Sequence, residues 1–164
     1  MTAPESDVTL LLDLLNSTPV VGDTQQDELA DARFARAWLQ VHDLPMSQWR
    51  PLVAARDTLQ AVVRGEASAD TLAPLLDGVS YRPVMSGTGV EWTLDVPRAR
   101  AAATRAVLTW DALRVGSPGR LRPCANTECR RFLFDRSKPN TARWCSMATC
   151  GNRMKARRHY QRVK

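Results

Sequence analysis

All four cysteines of this 164-residue chain lie in its last forty-one residues, in two pairs with the same internal spacing. Cys124 and Cys129 form the first pair, Cys145 and Cys150 form the second, and fifteen residues separate the pairs. Two short cysteine-containing turns can deliver four thiolates to one point, which is how many small protein modules bind zinc tetrahedrally. We therefore predict one Zn2+ site with these four residues as its ligands.

A shell of four thiolates leaves no position for water, so the predicted ion stabilises the fold and is not expected to catalyse a reaction. The alternative is a pair of disulfides, which would require an oxidising compartment. The segment Met1–Asp7 lacks the basic start of a secretory signal, and no later stretch approaches the ~20 apolar residues of a membrane span. We expect a cytoplasmic protein without a membrane partner, in which the cysteines are reduced and bind metal.

Charge is distributed very unevenly along the chain. Residues 120–164 contain thirteen Lys and Arg against two acids, whereas residues 1–119 contain ten against fifteen. The C-terminal part therefore has a net charge of +11 and the remainder −5, within an overall charge of +6. Such a basic segment binds polyanions by releasing their counterions, and nucleic acid is the usual polyanion.

Hydrophobic spacing predicts a mainly helical N-terminal part, with helices over 8–15, 27–41, 47–64, 69–76 and 97–114. The apolar run at 8–15 would also suit a buried strand, but a cap at Ser6 or Asp7 favours a helix. Between the last two, 80–85 and 90–96 are typical of strands joined by the turn Ser86–Gly89. A single hairpin is only marginally stable, so we expect it to pack on the helices or on another strand. The predicted core residues are Leu12, Phe34, Trp38, Leu59, Val107 and Trp110.

In the cysteine-containing part, strand-like segments at 131–135 and 141–144 predict a hairpin that links the two cysteine pairs. A final helix is expected to begin at Cys150, with Ala156, Tyr160 and Val163 on one stripe. A cysteine turn, a hairpin and a helix that supplies ligands make up a treble-clef plan. We predict an α+β chain with a mainly helical domain (1–115) containing a hairpin, a linker (116–120) and a small zinc module (121–164).

The segment Trp144–Arg153, WCSMATCGNR, resembles the CGNR zinc finger, a bacterial module, and FLFDRS at 132–137 is similar to the same family. The segment LDLLNS at 12–17 resembles the LDxxNT opening of the ABATE domain, with Ser17 in place of threonine. In that family an ABATE domain precedes the finger. The resemblance implies a transcription regulator linked in family descriptions to stress responses.

Several residues of the zinc module are expected to serve its structure. Phe132, Phe134 and Trp144 are predicted to pack in its core, although aromatic residues can also stack on unpaired bases. Gly151 is predicted to permit close approach near the sulfurs, and Asn152 to hydrogen-bond the nearby backbone. His42 and His159 are not expected to be zinc ligands, because four cysteines already close the shell.

The predicted contacts to nucleic acid are the basic side chains Arg143, Arg153, Lys155, Arg157, Arg158 and Arg162. The competing interpretations are a solvated basic face or contacts with the acidic helical domain. We predict a regulator that binds duplex DNA and whose N-terminal domain senses a signal or binds a partner. The alternatives are an adaptor for an acidic protein partner and an RNA-binding protein. No catalytic triad order or phosphate-binding glycine loop is present, so an enzyme is not expected.

Overall fold

The computed structural model describes residues 3–162, without the side chain of Arg162. Within that range the longer helices are α1 (Glu5–Asn16), α2 (Ala32–Val41), α3 (Trp49–Arg64), α4 (Ala101–Gly116) and α5 (Asn152–Arg162). Shorter 3-10 helices lie at Met46–Gln48, Ala69–Leu76 and Arg98–Arg100. The chain is α+β, as predicted, because three small sheets accompany these helices.

Each sheet is an antiparallel two-stranded hairpin. The strands are β1 (Val20–Val21) with β2 (Thr24–Gln25), β3 (Ser80–Ser86) with β4 (Gly89–Asp95), and β5 (Leu121–Pro123) with β6 (Phe132–Phe134). None of the helices in the described range is both long and apolar enough to cross a membrane.

The hydrophobic core lies where α1, α3 and α4 pack together. Helix α1 buries Leu11, Leu14 and Leu15 completely, whereas the predicted Leu12 is only partly buried. Of the other predicted core residues, Trp38, Leu59 and Val107 are buried and Trp110 packs at the core's edge. The α1 residues are apolar in consecutive positions because the helix contacts both neighbours.

Phe34 is the one predicted core residue that the structure places in solvent, with 55% of its surface exposed. Helix α2 starts at Ala32 because the carboxylate of Asp31 accepts hydrogen bonds from the backbone N–H groups of Arg33 and Phe34. From this start the buried face runs through Ala35, Trp38 and Leu39. The prediction that Phe34 lies in the core is therefore wrong, whereas Trp38 lies on the buried face as predicted.

A buried arginine fixes the loop before α2 to the helical core. Arg56 lies on the inner face of α3, and its two Nη atoms donate to the carboxylate of Asp27 at 2.6 and 3.0 Å. Burial disfavours the charged guanidinium, but its hydrogen bonds to the carboxylates of Asp27 and Asp57 outweigh that effect and raise the pKa of Arg56. The loop that carries Leu29 into the core is thereby held in place.

The β3–β4 hairpin does not pack as expected. Its two strands pair along their whole length, from Ser80 opposite Asp95 to Ser86 opposite Gly89. Most of its side chains are nevertheless exposed on both faces. The prediction that the helices or another strand cover this hairpin is wrong for the part of the chain described.

The cysteine-containing part packs directly on the helices. α4 ends at Gly116 and β5 begins at Leu121, so residues 117–120 join the two parts. Phe132 of β6 is only 2% exposed and belongs to the same core as α1 and α3. The Asn16 side chain donates to the carbonyl of Phe132 at 3.2 Å and accepts from its N–H at 2.7 Å. The segment that resembles the ABATE opening thus contacts the cysteine-containing part.

Candidate metal centre and nucleic-acid interface

The four cysteines come together at one end of the β5–β6 hairpin. Cys124 follows β5 directly, and Cys129 precedes β6, so both lie in the connection between these strands. Cys150 lies in the helical turn Met147–Gly151, which leads into α5. Cys145 precedes that turn, and the four Sγ atoms all lie within 4.8 Å of one another.

The predicted hairpin between the cysteine pairs is wrong, because β6 pairs with β5 rather than with 141–144. Two side chains and one backbone N–H from the loop after β5 satisfy the backbone of that segment instead. The Ala142 N–H donates to Asp135 Oδ2 at 2.7 Å, and the Ala142 carbonyl accepts from Arg122 Nε at 3.0 Å. The Arg143 carbonyl accepts from the N–H of Ala125 at 2.8 Å. With these partners, the segment needs no neighbouring strand.

The sulfur geometry fits a metal ion better than disulfides. All four cysteines are free thiols, and the Sγ of Cys145 lies 3.7 Å from those of both Cys129 and Cys150. A disulfide would require about 2.05 Å between bonded sulfurs. A tetrahedral ion with Zn–S bonds of about 2.3 Å has sulfurs about 3.8 Å apart along each edge. The donor set could therefore hold one zinc ion.

Polar groups around the sulfurs differ from one thiol to the next. The fully buried Asn126 donates from Nδ2 to Cys150 Sγ at 3.5 Å, and the N–H of Cys145 donates to Cys124 Sγ at 3.4 Å. Burial works against ionisation of Cys150, but hydrogen bonds from Asn126 and the other thiols lower its pKa. Burial raises the pKa of Cys129 and of Cys145. Because zinc binds thiolates, metal binding must displace protons from the thiols.

Asp135 stabilises the loop before the second cysteine pair, a role that was not predicted from the sequence. Its buried carboxylate accepts from the backbone N–H of Ser137 at 2.8 Å and of Ala142 at 2.7 Å, and pairs with Arg122 at 2.7 Å. These hydrogen bonds, chiefly those from Ser137, lower its pKa to about 2. The carboxylate therefore stabilises the fold above about pH 4, and that contribution is lost as the pH falls towards 2.

Sequence signals for these supporting residues differ. Asp135 lies in the FLFDRS segment and directly follows a strand, so a polar anchor at this position could have been inferred. Asn126 lies in a turn between two ligands, and asparagine is common in turns because its side chain hydrogen-bonds the nearby backbone. Only the structure shows that its amide turns towards a sulfur.

The two residues after Cys150 have different surroundings. A Cβ on Gly151 would lie 2.6 Å from Met147 Sδ and 3.3 Å from Trp144 Cδ1, so the predicted close approach is present and involves side chains. Asn152 is exposed, and its side chain makes no hydrogen bond to any residue that the structure describes. The predicted bond from Asn152 to the backbone beside the site is therefore wrong.

The aromatic residues of the module pack, but Phe132 and Phe134 do so in the helical core rather than in a core of the module. Phe132 is buried in the helical core, and Phe134 is partly buried against the same core. Trp144 is also partly buried, with the Arg143 guanidinium 5.4 Å from its ring centroid. Packing of Phe132 leaves no free face for stacking on a base.

The two histidines have other partners, although His42 and Cys145 line the same cavity. The ring of His42 packs on Trp38, with 4.2 Å between centroids, and its Nε2 lies 3.5 Å from the carboxylate of Asp13. Burial lowers the pKa of His42, although Asp13 opposes this effect. His159 lies on α5 with its ring edge towards Tyr160. Among the described residues, neither belongs to the cysteine cluster.

The predicted nucleic-acid contacts separate into two sides of α5. Arg153, Lys155, Arg157 and Arg158 are all exposed, but Arg157 pairs with both carboxylate oxygens of Glu128 at 2.6 and 2.8 Å. Helical spacing places Arg153 and Arg157 on one side of α5. It places Lys155 and Arg158 on the opposite side. The second group is called the outer basic stripe below.

Arg143 and Arg162 lie at the two ends of the predicted contact region. Arg143 is exposed beside Trp144, before the second cysteine pair. Arg162 is the last residue of α5, and its side chain lies outside the described atoms. Which of the six basic residues touch nucleic acid stays a prediction.

The predicted apolar stripe of α5 is not buried. Ala156 and Tyr160 are exposed, and Val163 lies outside the described residues. The reason is that the chain is buried only in the turn before α5, where Cys150 and Gly151 lie, and α5 itself extends away from the module. Most of α5 is therefore accessible on more than one side.

Comparison with known proteins supports the metal centre. The family model of the CGNR zinc finger matches residues 120–163, a segment that contains all four cysteines, β5 and β6. A search of the curated proteins found no significant match to the chain. Residues 1–119 lie outside the matched segment, and their resemblance to the ABATE domain stays a prediction. The family match and the four-thiol cluster together indicate that the C-terminal part is a zinc-binding module similar to the CGNR zinc finger.

Proposed function

We propose that this protein is a DNA-binding regulator whose C-terminal finger is built on one structural zinc ion. The observation that carries the proposal is the outer basic stripe, which is exposed on a helix that begins at the metal centre. The helical domain would sense a signal or bind a partner. We propose no catalytic role, since four thiolates close the zinc shell.

The zinc ion would act by fixing where α5 begins. Cys150 lies in the turn that enters α5, while Cys124 and Cys129 lie in the connection between β5 and β6. One ion bound to Cys150 and to the cysteines of the β5–β6 connection would join α5 to this hairpin, which is itself packed on the helical core. The direction of α5 relative to the rest of the protein would then depend on the metal. Free thiols agree with the reducing cytoplasm that we propose as its location.

The charge of the module is not neutralised by its own acids. Its two carboxylates are already engaged, Glu128 with Arg157 and Asp135 with Arg122. The remaining cations of α5 therefore keep their positive potential towards solvent. Among the described residues, Arg157–Glu128 is the ion pair formed by an α5 side chain, so the acidic helical domain does not neutralise this helix.

The dimensions of α5 suit a DNA groove. Its 11 residues span about 16 Å, and a helix with accessible sides fits a major groove about 12 Å wide. The outer basic stripe would contact phosphates, which position a protein without reading sequence. Any base contact would come from α5 residues that then face the groove floor.

A salt series tests this assignment with two double variants that remove equal charge. K155A/R158A removes two cations of the outer basic stripe, and R153A/R157A removes two from the opposite side. Each lost phosphate contact should reduce the slope of log affinity against log salt by about 0.9 on duplex DNA. We expect the slope to fall by about 1.8 for K155A/R158A. We expect a smaller fall for R153A/R157A, because Arg157 already pairs with Glu128.

The competing functions give different results in the same assay. Tighter binding of RNA or single-stranded DNA than of duplex at equal salt would favour the RNA-binding or single-strand alternative. No affinity for any nucleic acid at ~50 mM salt would contradict the proposal and favour an adaptor for an acidic protein. The pairing of Arg136 with Glu5 shows that one basic side chain of the module, outside α5, binds a carboxylate of the helical domain.

A further inference from the structure

The β3–β4 hairpin has one face made entirely of apolar residues. Side chains of directly opposed residues lie on the same face of an antiparallel pair. The register places three such apolar pairs on one face, which are Tyr81 with Leu94, Pro83 with Trp92, and Met85 with Val90. The other face holds the pairs Arg82 with Thr93 and Val84 with Glu91, and Ser80 with Asp95 at its end.

This apolar face is exposed to solvent in the single chain. Met85 is 75% exposed, Trp92 65% and Val90 57%. An antiparallel sheet with one polar and one apolar face normally buries the apolar face. A two-stranded hairpin in water is only marginally stable unless another element packs on it. The alternation of residues over both strands therefore points to a surface that another molecule covers.

We propose that a second copy of this chain covers this face, so that two hairpins pack face to face about a two-fold axis. The face carries no charged residue, so its occupant must offer a comparable apolar surface. A second copy offers the same uncharged face, as a two-fold interface requires. The charges lie on the other face, where Arg82 pairs with Asp95 at 3.3 Å and stays in solvent.

The available area agrees with a weak dimer. With Met85, Trp92, Val90 and Tyr81 each between 44% and 75% exposed, the apolar face offers on the order of 500 Å² per copy, so two copies would bury about 1,000 Å². That value is near the lower limit for a specific interface, where association is transient. Addition of a strand at the β3 edge is disfavoured, because Pro83 has no N–H to donate there. Face-to-face packing needs no such donor.

The test uses two adjacent residues that point to opposite faces. Met85→Lys puts a charge on the apolar face, and Val84→Lys puts the same charge on the polar face, opposite Glu91. Sedimentation velocity of the full-length, zinc-loaded protein would be followed over about 1 µM to 1 mM, where small interfaces associate. We expect the wild type and V84K to dimerise alike. We expect the dimer dissociation constant of M85K to be at least tenfold higher than that of the wild type.

Val90→Lys provides a second variant on the apolar face, and circular dichroism with zinc content establishes that each variant is folded. Dimerisation of M85K and V90K with the wild-type constant would overturn the proposal. A wild type that stays monomeric over the whole range would also overturn it and leave the face to a different apolar partner. Equal loss of dimer in V84K and M85K would contradict the assigned face. The assay requires no nucleic acid, so its outcome is independent of the proposed function.

Discussion

At the scale of single residues, Asn16 couples the two parts of the chain. Its amide donates to and accepts from the backbone of Phe132, a residue that is itself buried in the helical core. Asparagine suits this position because one side chain offers both a donor and an acceptor. The LDLLNS segment that ends at Ser17 therefore has a structural role at the contact with the finger.

Replacing Asn16 with alanine would leave both backbone groups of Phe132 without these partners. An unsatisfied buried polar group costs about 1–3 kcal/mol, so we expect N16A to lower the free energy of unfolding by at least that amount. Urea unfolding of the zinc-loaded protein measures the change. Gln40→Ala, which shortens an exposed amide side chain on α2, is the control. Equal stability of N16A and Q40A would show that these hydrogen bonds contribute nothing net.

Residue-level prediction from the sequence succeeded where chemistry restricts the choice. Four thiols at matched spacings can close one shell, and the structure brings all four within 4.8 Å. It failed for Phe34 because the position of the α2 start, set by Asp31, decides which side chains face inward. It also missed Asn126 and Arg56, because polar residues in buried positions look like surface residues until their partners are known.

At the scale of elements, α3 depends on a buried charge. Helical spacing predicted the helix and its end at Gly65, which adopts a φ of 75°. The same spacing does not predict that Arg56 lies on the inner face of α3, where it pairs with Asp27 and Asp57. The guanidinium links α3 to the loop before α2, so the element and the loop are stabilised together.

Replacing Arg56 with alanine should be among the most destabilising changes in the helical domain. Removing one member of a buried ion pair leaves its partner uncompensated, and we expect a loss on the order of 3 kcal/mol in the free energy of unfolding. Arg36→Ala on the exposed side of α2 is the matched control and should change stability by less than about 0.5 kcal/mol. Similar values for the two variants in urea unfolding would refute the structural role of Arg56.

The elements of the finger show why strand pairing is hard to predict from one sequence. Residues 132–134 form a strand as expected, but its neighbour is β5 rather than 141–144. The alternation of apolar residues identifies strands without identifying the strand that each one pairs with. Here the side chains of Arg122 and Asp135 hydrogen-bond the backbone of Ala142, in the segment that was predicted to be the second strand. Which strand pairs with β6 therefore depends on contacts between positions that are distant in the sequence.

At the scale of the whole molecule, the two parts share one hydrophobic core. The change in charge at 116–120 marks where the chain passes from α4 to β5. Composition does not reveal that Phe132 crosses this boundary to pack with α1 and α3. The basic α5 and the apolar face of β3–β4 remain exposed on the outside of this shared core. We assign these two surfaces to binding DNA and to binding a second copy.

The central claim is that one zinc ion on four thiolates organises the C-terminal module. X-ray absorption at the zinc edge, on full-length protein purified under reducing conditions, tests it most directly. We expect one zinc per chain with four sulfur neighbours at about 2.3 Å and no nitrogen or oxygen ligand. A folded protein without metal, or a zinc shell that contains nitrogen or oxygen, would contradict the claim.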